Sequence, residues 1–418
     1  MNLPIFYSIQ QLFENNEIRD VVAELDNGLE EIRFRDMFVL GEKIAITVGS
    51  RGIDNLDIII KNLVCKLQEI GVSPFIVPSM GSHGGATAEG QVEVLKSLGI
   101  SQEKIGVPII SNMEVVELGK TSSGVMVYMD KNALNADGVI VVNRVKPHTR
   151  FKARNESGLM KMISVGLGKH KGCIEIHNHG IYPAIVEAAR LALEKAPIRL
   201  GIGLVENAYD RTAKLRVVPR ENLEVVDAEL LEDAKKMMPS LPMDDIDLIV
   251  VKEMGKDISG TGMDVNVLGR VTSPYLNEID KPRIKRIVAM DITSNSHGNA
   301  LGMGLADVVS RRLANKIDFN ATYANVVSAG VLDRGKMPVV MESDQEVIQV
   351  ALQSIERLNL EKARIVFVRN TLELGHLTVS ESIYKEVVGL PNIKYNDEPF
   401  KIELDEQGNL TEDWWNKI

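Results

Sequence analysis

Short apolar runs that end in glycine-containing loops and lead into helical segments recur along this chain. Residues 44–48 (IAITV) form one such run, and the loop Gly49-Ser50-Arg51-Gly52 follows it. Residues 56–67 then carry apolar side chains at helical spacing. A strand, a glycine-containing loop and a helix in repeated succession are typical of an open, mostly parallel α/β sheet. The same pattern predicts strands at residues 75–78, 139–143 and 200–205, and helices at residues 87–98 and 183–195.

The second part of the chain repeats this pattern after a segment rich in proline and methionine, residues 236–245 (KMMPSLPMDD). We therefore predict two α/β domains with mostly parallel sheets, residues 1–240 and 241–418, and an active site in the crevice between them. The tail from about residue 400 is expected to pack back on the N-terminal domain. In the second domain the predicted strands are residues 247–251, 286–290 and 364–368, and the predicted helices are residues 306–317 and 344–358.

The composition is that of an ordinary globular protein and excludes several functional classes. The 48 basic and 58 acidic residues give a net charge of −10, which argues against a protein that tracks the phosphates of nucleic acid. No apolar run reaches the roughly 18 residues that a membrane helix needs, and the first residues lack the features of a signal peptide. Two cysteines, Cys65 and Cys173, give neither a disulfide framework nor a Cys-x-x-Cys zinc pair. We expect a cytoplasmic protein without nucleic-acid or membrane partners.

Candidate site residues follow three of the predicted strands, and ligands bind at the carboxyl ends of strands in open α/β sheets. Arg51 follows the first strand, His83 lies in the loop Gly81-Ser82-His83-Gly84-Gly85 after the second, and His148 follows residues 139–143. Glycines beside His83 let a ligand approach the main chain and offer N–H groups to an anion. The alternatives are a glycine-rich turn with an incidental histidine and a solvated loop arginine.

Four of the seven histidines lie between residues 148 and 179, and Lys161 lies among them. Histidine binds metals and carries protons near neutral pH. A lysine in an apolar setting such as SGLMKM has its charged form disfavoured, which suits covalent chemistry. In the sequence His177-Asn178-His179 the two rings face one side on a strand and diverge on a helix, and the pattern leaves both open.

Two polar loops in the second half are candidates for substrate contacts because each follows a predicted strand. The loop GKDISGTGMD at residues 255–264 is not a P-loop, since its lysine precedes most of the glycines and no Gly-Lys-Ser/Thr closes it. Plain solvated connections are the alternative for both loops. The candidate residues are Lys256, Asp257 and Asp264 in this loop and His297 in the loop at residues 294–299.

Taken in order, these motifs resemble those of the nickel-pincer-nucleotide enzymes typified by lactate racemase, as a divergent member. The shared order is an arginine after the first strand, a Gly-Ser-His loop with a threonine four residues after its histidine, a Pro-His pair, a lysine close to a glycine, and a histidine 16 residues further on. The residues that carry the resemblance are Arg51, His83, Thr87, Pro147, His148, Gly158, Lys161 and His177. They cover residues 45 to 180, approximately.

The resemblance implies a cofactor and a reaction. The cofactor is a pyridinium-3-thioamide-5-thiocarboxylic acid mononucleotide carrying nickel, with Lys161 as its covalent tether and His177 as the nickel ligand. Sulfur donors together with imidazole suit square-planar nickel(II). The reaction is racemisation or epimerisation of a 2-hydroxy acid, by removal and return of hydride through a 2-keto acid intermediate. The other implied roles are acid–base catalysis for His83 and His148 and cofactor contacts for Arg51, Ser50 and Gly84.

Departures from the family pattern bear on the substrate. Val48 stands where a lactate racemase is expected to have an aspartate, and Gly84 follows His83 where an arginine is expected. Residues 149–160 (TRFKARNESGLM) form a longer and more charged connection than the usual one. A larger or more polar hydroxy acid than lactate, such as a sugar acid or a dicarboxylate, is therefore the expected substrate. The other expected partners are the proteins that synthesise the cofactor, and a homodimer is compatible with the sequence.

Other functions stay open at the level of sequence. A zinc- or manganese-dependent hydrolase or lyase would use the histidine cluster, although the region of His177 lacks a carboxylate at His-Glu-x-x-His spacing. A cofactor-free binding protein on the same scaffold would leave Lys161 unmodified. An NAD-dependent Rossmann enzyme is disfavoured because no predicted strand leads into Gly-x-Gly-x-x-Gly with an acidic residue about 20 positions on.

Overall fold

A computed structural model describes residues 3–272 and 279–418 of the chain. The chain divides into two compact units, Asn15–Met238 and a second unit made of Met1–Glu14 with Pro239–Ile418. Within the described residues the strands are β1 Phe6–Gln11, β2 Lys43–Val48, β3 Ser73–Pro78, β4 Val115–Lys120, β5 Met126–Asp130, β6 Gly138–Arg144, β7 Ile198–Glu206, β8 Thr212–Pro219, β9 Asp245–Met254, β10 Arg283–Ile292, β11 Val308–Ser310, β12 Val339–Met341, β13 Ile365–Val368, β14 His376–Ser380 and β15 Ile393–Tyr395.

The helices of the described residues complete the element order. The α-helices are α1 Val21–Glu31, α2 Leu56–Glu69, α3 Ala88–Ser97, α4 Gln102–Ile105, α5 Lys131–Leu134, α6 Leu159–Lys161, α7 Lys169–Asn178, α8 Ala184–Lys195, α9 Leu223–Met237, α10 Val265–Leu268, α11 Arg311–Asn315, α12 Phe319–Ala329, α13 Asp344–Gln353, α14 Glu381–Val387 and α15 Glu412–Trp415. A π-helix, Met162–Gly166, lies between α6 and α7. No helix among the described residues has the length and apolar content needed to cross a membrane.

The unit Asn15–Met238, here called the site unit, is built on a five-stranded sheet with the strand order β3-β2-β6-β7-β8. The first four strands run parallel and β8 is antiparallel to β7. The central side chains of β2, β3, β6 and β7 are mostly apolar and almost fully buried, as expected for parallel strands covered by helices. Since Val48 pairs with Pro78 at the ends of β2 and β3, the loops that follow these strands begin at one edge of the sheet.

The second unit contains an eight-stranded sheet with the order β12-β11-β10-β9-β13-β14-β1-β15. β9 to β13 pair in parallel, whereas β14, β1 and β15 are antiparallel to their neighbours. Phe6 of β1 packs edge-on against Phe367 and Trp414 with ring centroids 5.4 and 5.7 Å apart. These aromatic contacts hold the first strand and the C-terminal helix in the core of the same unit.

The predicted α/β class with mostly parallel strands is confirmed. Two expectations differ from the structure. The helix predicted at residues 306–317 is wrong, because β11 occupies Val308–Ser310 and only Arg311–Asn315 is helical. The tail was expected on the N-terminal domain, but Leu410, Trp414 and Trp415 lie in the core of the second unit.

Candidate functional site

The loops after β2 and β3 bring Ser50 and His83 into direct contact. The hydroxyl oxygen of Ser50 lies 2.5 Å from Nδ1 of His83, a short hydrogen bond. The His83 side chain belongs to an exposed residue, so its ring faces solvent at the carboxyl edge of the sheet. The predicted cofactor contact Ser50 and the predicted acid–base residue His83 therefore form one pair.

The loop that carries His83 is fixed by the helix that follows it. Thr87 caps α3 by accepting a hydrogen bond from the N–H of Gly90 at 3.0 Å. Gly84 has a φ of +65°, and a Cβ at this position would lie 2.6 Å from the nitrogen of Gln91. Gly84 is thus required by the close approach of the loop to α3, whatever else it contacts.

His148 lies in the connection after β6 with both its main chain and its ring engaged. Its N–H donates to the Glu156 carboxylate at 2.6 Å, and its Nδ1 accepts from the N–H of Arg150 at 3.0 Å. Its ring lies against Phe151 with centroids 4.4 Å apart. Because Nδ1 is an acceptor here, the proton of the neutral ring lies on Nε2.

The electrostatic surroundings of His148 disfavour its charged form. Burial lowers the pKa of His148 well below its ordinary value, and nearby positive groups lower it further. These groups are Lys161, Arg150, His177 and Lys146, in decreasing order of effect. The sequence-predicted residues Lys161 and His177 are therefore both close enough to His148 to affect its pKa.

Lys161 is the last residue of α6, where the chain passes into the π-helix Met162–Gly166. Single-turn π-helical segments of this kind occur frequently at functional sites. Burial lowers the pKa of the Lys161 ammonium group from 10.5 to about 8, Cys173 opposes this shift, and neighbouring cations add to it. The cations are Lys146, Arg51 and Arg150. A fraction of Lys161 is therefore an uncharged, nucleophilic amine near neutral pH.

A buried carboxylate from α9 holds the segment that carries Lys161. The side chain of Asp227 accepts from the N–H of Leu159 at 2.6 Å and from the amide group of Asn155 at 3.0 Å. A Cβ on Gly158 would lie 2.0 Å from the same carboxylate. Burial raises the pKa of Asp227 to about 6. Gly158 thus allows Asp227 to reach the start of α6 and cap it.

His177 lies in the last turn of α7 and is half-buried, and His179 is the exposed residue at the end of that helix. The two rings therefore diverge, as expected for a helical His-x-His pair. His179 has its Nδ1 3.0 Å from the carbonyl oxygen of Glu175, a local contact on its own helix. Of the two, only His177 is among the groups that influence His148.

The candidate substrate residues lie in the second unit, and most of them form hydrogen bonds with other residues of that unit. The ammonium group of Lys256 donates to the carbonyl of Gly260 at 2.6 Å and to Asn325 at 2.9 Å. Asp257 accepts from the Thr293 hydroxyl at 2.6 Å. Asp264 caps α10, accepting from the N–H of Asn266 at 2.9 Å. His297 is exposed, with a left-handed φ of 47°.

The donor set of the site unit suits a metal whose other ligands come from a cofactor. Among residues 3–272 and 279–418 no three His, Cys, Asp or Glu side chains are grouped as a metal site. His177, which like Lys161 acts on the pKa of His148, offers one imidazole, which fits a nickel ion that is otherwise held by sulfur atoms of a tethered nucleotide.

Several residues that organise this site were not found from the sequence. Asp227, Glu156 and Gln91 are buried polar residues that hold the segments of Lys161, His148 and His83. The only signal for Asp227 is its place on the apolar face of α9, between Leu223 and Leu230, where a carboxylate is unusual. Glu156 and Gln91 give no comparable signal.

Part of the chain is similar to a known protein family. Residues 8–187 match the family model described as the lactate racemase N-terminal domain. The lactate racemase apoprotein from Thermoanaerobacterium thermosaccharolyticum is 14% identical, with 82% of this chain and 91% of that chain covered and a TM-score of 0.49.

A second solved structure, a crystal structure of a Thermotoga maritima protein from the Northeast Structural Genomics Consortium, is also 14% identical. The match covers 84% of this chain and 97% of that chain, with a TM-score of 0.51, and shows a common fold. No curated protein matches the sequence significantly.

Proposed function

We propose that this protein is a racemase or epimerase of a 2-hydroxy acid, since residues 8–187 match the family model of the lactate racemase N-terminal domain. The proposal includes a nickel-pincer nucleotide tethered to Lys161. The observation that carries it is that Lys161 and His177 both lie close enough to His148 to lower its pKa. The Ser50–His83 pair lies on loops that start at the same edge of the sheet as the connection of His148.

The residues for holding such a cofactor are Lys161 as the tether, His177 as the nickel ligand, and Arg51, Ser50 and Gly84 as further contacts. When bound, the nickel nucleotide would accept hydride from the α-carbon of the substrate and return it. The pKa of about 8 suits Lys161 to form its covalent link, since the neutral amine is the nucleophile. Asp227 and Gly158 fix the start of the helix from which this amine projects.

His83 and His148 are proposed to have different roles toward the hydroxyl group of the substrate. Neutral His148 carries its proton on Nε2, so it donates a hydrogen bond to a substrate oxygen more readily than it accepts a proton. His83 contacts a hydroxyl that can either donate or accept, and Ser50 can therefore stabilise the His83 tautomer that takes the proton. We assign His83 as the principal base and His148 as the group that holds the oxygen.

The substrate is proposed to be an anion that is larger or more polar than lactate. The positive charges of Lys146 and Arg150 act on His148, so the surroundings of this ring favour a negatively charged ligand. The connection that follows His148 adds Lys152, an exposed cation 3.9 Å from Glu156. A sugar acid or a dicarboxylate would use this additional positive charge.

The test is loss of optical activity with the α-hydrogen retained in D₂O, because that hydrogen moves as hydride and not as a proton. The protein, co-expressed with the proteins that synthesise the cofactor, is incubated in D₂O with single enantiomers of lactate, malate, tartrate and sugar acids. We expect loss of optical activity on at least one of the larger acids, faster than on lactate. A protein that carries the cofactor and nickel but racemises or epimerises none of these acids would contradict the proposed reaction.

A further inference from the structure

A buried ion pair lies beneath the loop that carries His83. The ammonium nitrogen of Lys169 is 3.2 Å from a carboxylate oxygen of Asp130, and both side chains are 0% exposed. Burial lowers the pKa of Lys169 and raises that of Asp130, because the removal of both charged groups from water costs free energy. The proposed function above assigns neither residue a role.

The pair is connected to the His83 loop by hydrogen bonds. Lys169 donates to the carbonyl oxygen of Pro78, at the end of β3, and to the side-chain oxygen of Gln91 at 3.1 Å. The amide group of Gln91 in turn donates to the carbonyls of Gly81 at 3.0 Å and of His83 at 3.3 Å. The ammonium group thereby orients the amide that holds two main-chain carbonyls of the loop.

The ion pair also involves the helix that carries His177. Lys169 is the first residue of α7 and has a left-handed φ of 54°, an uncommon conformation for a residue with a side chain. Asp130 caps α5 through the N–H of Ala133 at 2.9 Å, and its own N–H donates to the carbonyl of Leu167 at 2.7 Å. One buried network therefore spans the His83 loop and the start of the helix of His177.

We propose that Lys169 is a positioning residue that, through Gln91, fixes the main chain at His83 relative to α7. An apolar pair of similar size would fill the same space and is often at least as stable as a buried ion pair. It could not orient Gln91 or bind the carbonyl of Pro78. The proposal that this orientation serves catalysis rests on the proposed function, whereas the fixing of the loop does not.

Three variants separate positioning from stability. Lys169→Met with Asp130→Asn removes both charges and keeps an oxygen to cap α5, so we expect its denaturation midpoint to stay close to that of the wild type. Gln91→Met leaves the ion pair intact and removes only its link to the loop. Asp344→Asn, which weakens the pair between the buried Asp344 carboxylate and the partly exposed Arg312 (3.2 Å) in the second unit, is the control for a general loss of stability.

The first readout is amide hydrogen exchange of the peptide at residues 79–87. We expect exchange to become at least about tenfold faster in the double variant and in Gln91→Met, with β2, β6 and β7 unchanged. The Asp344→Asn control should leave this peptide as in the wild type. Wild-type exchange at residues 79–87 in Gln91→Met, or faster exchange spread evenly over the site unit, would overturn the positioning role.

The second readout uses the cofactor-loaded protein. We expect both variants to retain the mass adduct on Lys161 and a KM within about twofold of the wild type, with kcat lowered about tenfold or more. An unchanged kcat with a loosened loop would limit the role of Lys169 to structure and so overturn its catalytic part. Absence of racemisation in the loaded wild type would instead refute the proposed function and leave the exchange result valid.

Discussion

The histidine loop of the site unit and that of the second unit look alike in sequence but differ in how they are held. His83 lies in Gly-Ser-His-Gly-Gly and His297 in Asn-Ser-His-Gly-Asn, and each follows a parallel strand. The main chain at His83 is bound by Gln91, behind which lies a buried ion pair. Around His297 the polar groups bond mainly to one another, as in the 2.7 Å contact between Thr293 and Ser296.

The difference lies in the residues that support each loop. In the site unit, fully buried polar side chains hold the segments of two candidate residues: Asp227 that of Lys161 and Glu156 that of His148. Such placement fixes a group in space and shifts its pKa, which catalysis requires. The two loops of the second unit bond to each other and to α12, as Asp257 does to Thr293 and Lys256 to Asn325, an arrangement that suits substrate contact or simple structure.

The largest expected effect contrasts the two histidines. His83→Ala should lower kcat for racemisation by about 10²–10⁴-fold, the usual contribution of a general base. His297→Ala should change kcat less than about twofold and affect only KM, since it is placed to contact substrate at most. Both are measured by polarimetry on the loaded protein. Equal losses of kcat in the two variants would erase the distinction between the loops.

The next effect concerns Gly158. A Cβ there would lie 2.0 Å from the Asp227 carboxylate, so Gly158→Ala should lower the free energy of unfolding by about 3 kcal/mol and reduce adduct formation at Lys161. Gly375→Ala is the matched control, because the nearest atom to its Cβ is the oxygen of Gln11 at 3.9 Å. We expect that control to stay within about 0.5 kcal/mol. Urea denaturation and intact mass check both expectations.

Asp227 gives the site unit a characteristic pH dependence. Its pKa is 3.8 in an unfolded chain and about 6 in the fold, so the folded state binds the proton more tightly. The stability that protonated Asp227 adds to the folded state is therefore fully present below pH 4. It is lost as the pH rises through 6, and the total loss in unfolding free energy is about 3 kcal/mol. Relative to Asp227→Asn, the wild type should lose this stability between pH 4 and 7. Parallel curves of unfolding free energy against pH for the wild type and for Asp227→Asn would show that this carboxylate does not hold its proton in the fold.

The smallest expected effect is in the second unit. Lys256→Met removes hydrogen bonds to Gly260 and Asn325 and should lower stability by about 1 kcal/mol. It should leave adduct formation at Lys161 unchanged, because Lys161 and the residues that act on its pKa lie in the site unit. Loss of the adduct in this variant would extend the cofactor site beyond that unit.

The parallel strands were predictable because the local pattern of apolar residues is enough to indicate a strand, without knowledge of the strand with which it pairs. Residues 44–48 are apolar and β-branched, end at Gly49, and form part of β2 as predicted. The short strand β11 was read as helix, since its three residues become a strand only by pairing with β10, Val288 opposite Val308. The first strand, β1, gave no sign that it would join the second unit.

The sequence supplied candidate residues for the site, but not the contacts that hold them. The motif order gave His83, His148, Lys161 and His177, but these roles stay predictions. The sequence Lys169-His170-Lys171 reads as an exposed basic turn, yet Lys169 is fully buried because Asp130 lies beside it. A pairing between residues so far apart in sequence leaves no periodic pattern from which to infer it.

The proposed covalent link between Lys161 and the nickel nucleotide can be measured by intact mass together with metal analysis. Protein co-expressed with the cofactor-synthesis proteins should show a covalent adduct and about one nickel per chain. Lys161→Ala should lose both, while Lys171→Ala, which removes an exposed lysine 3.6 Å from Glu117, should keep both. An unmodified wild-type mass with stoichiometric zinc, or an adduct that persists in Lys161→Ala, would show that Lys161 does not carry the nickel nucleotide.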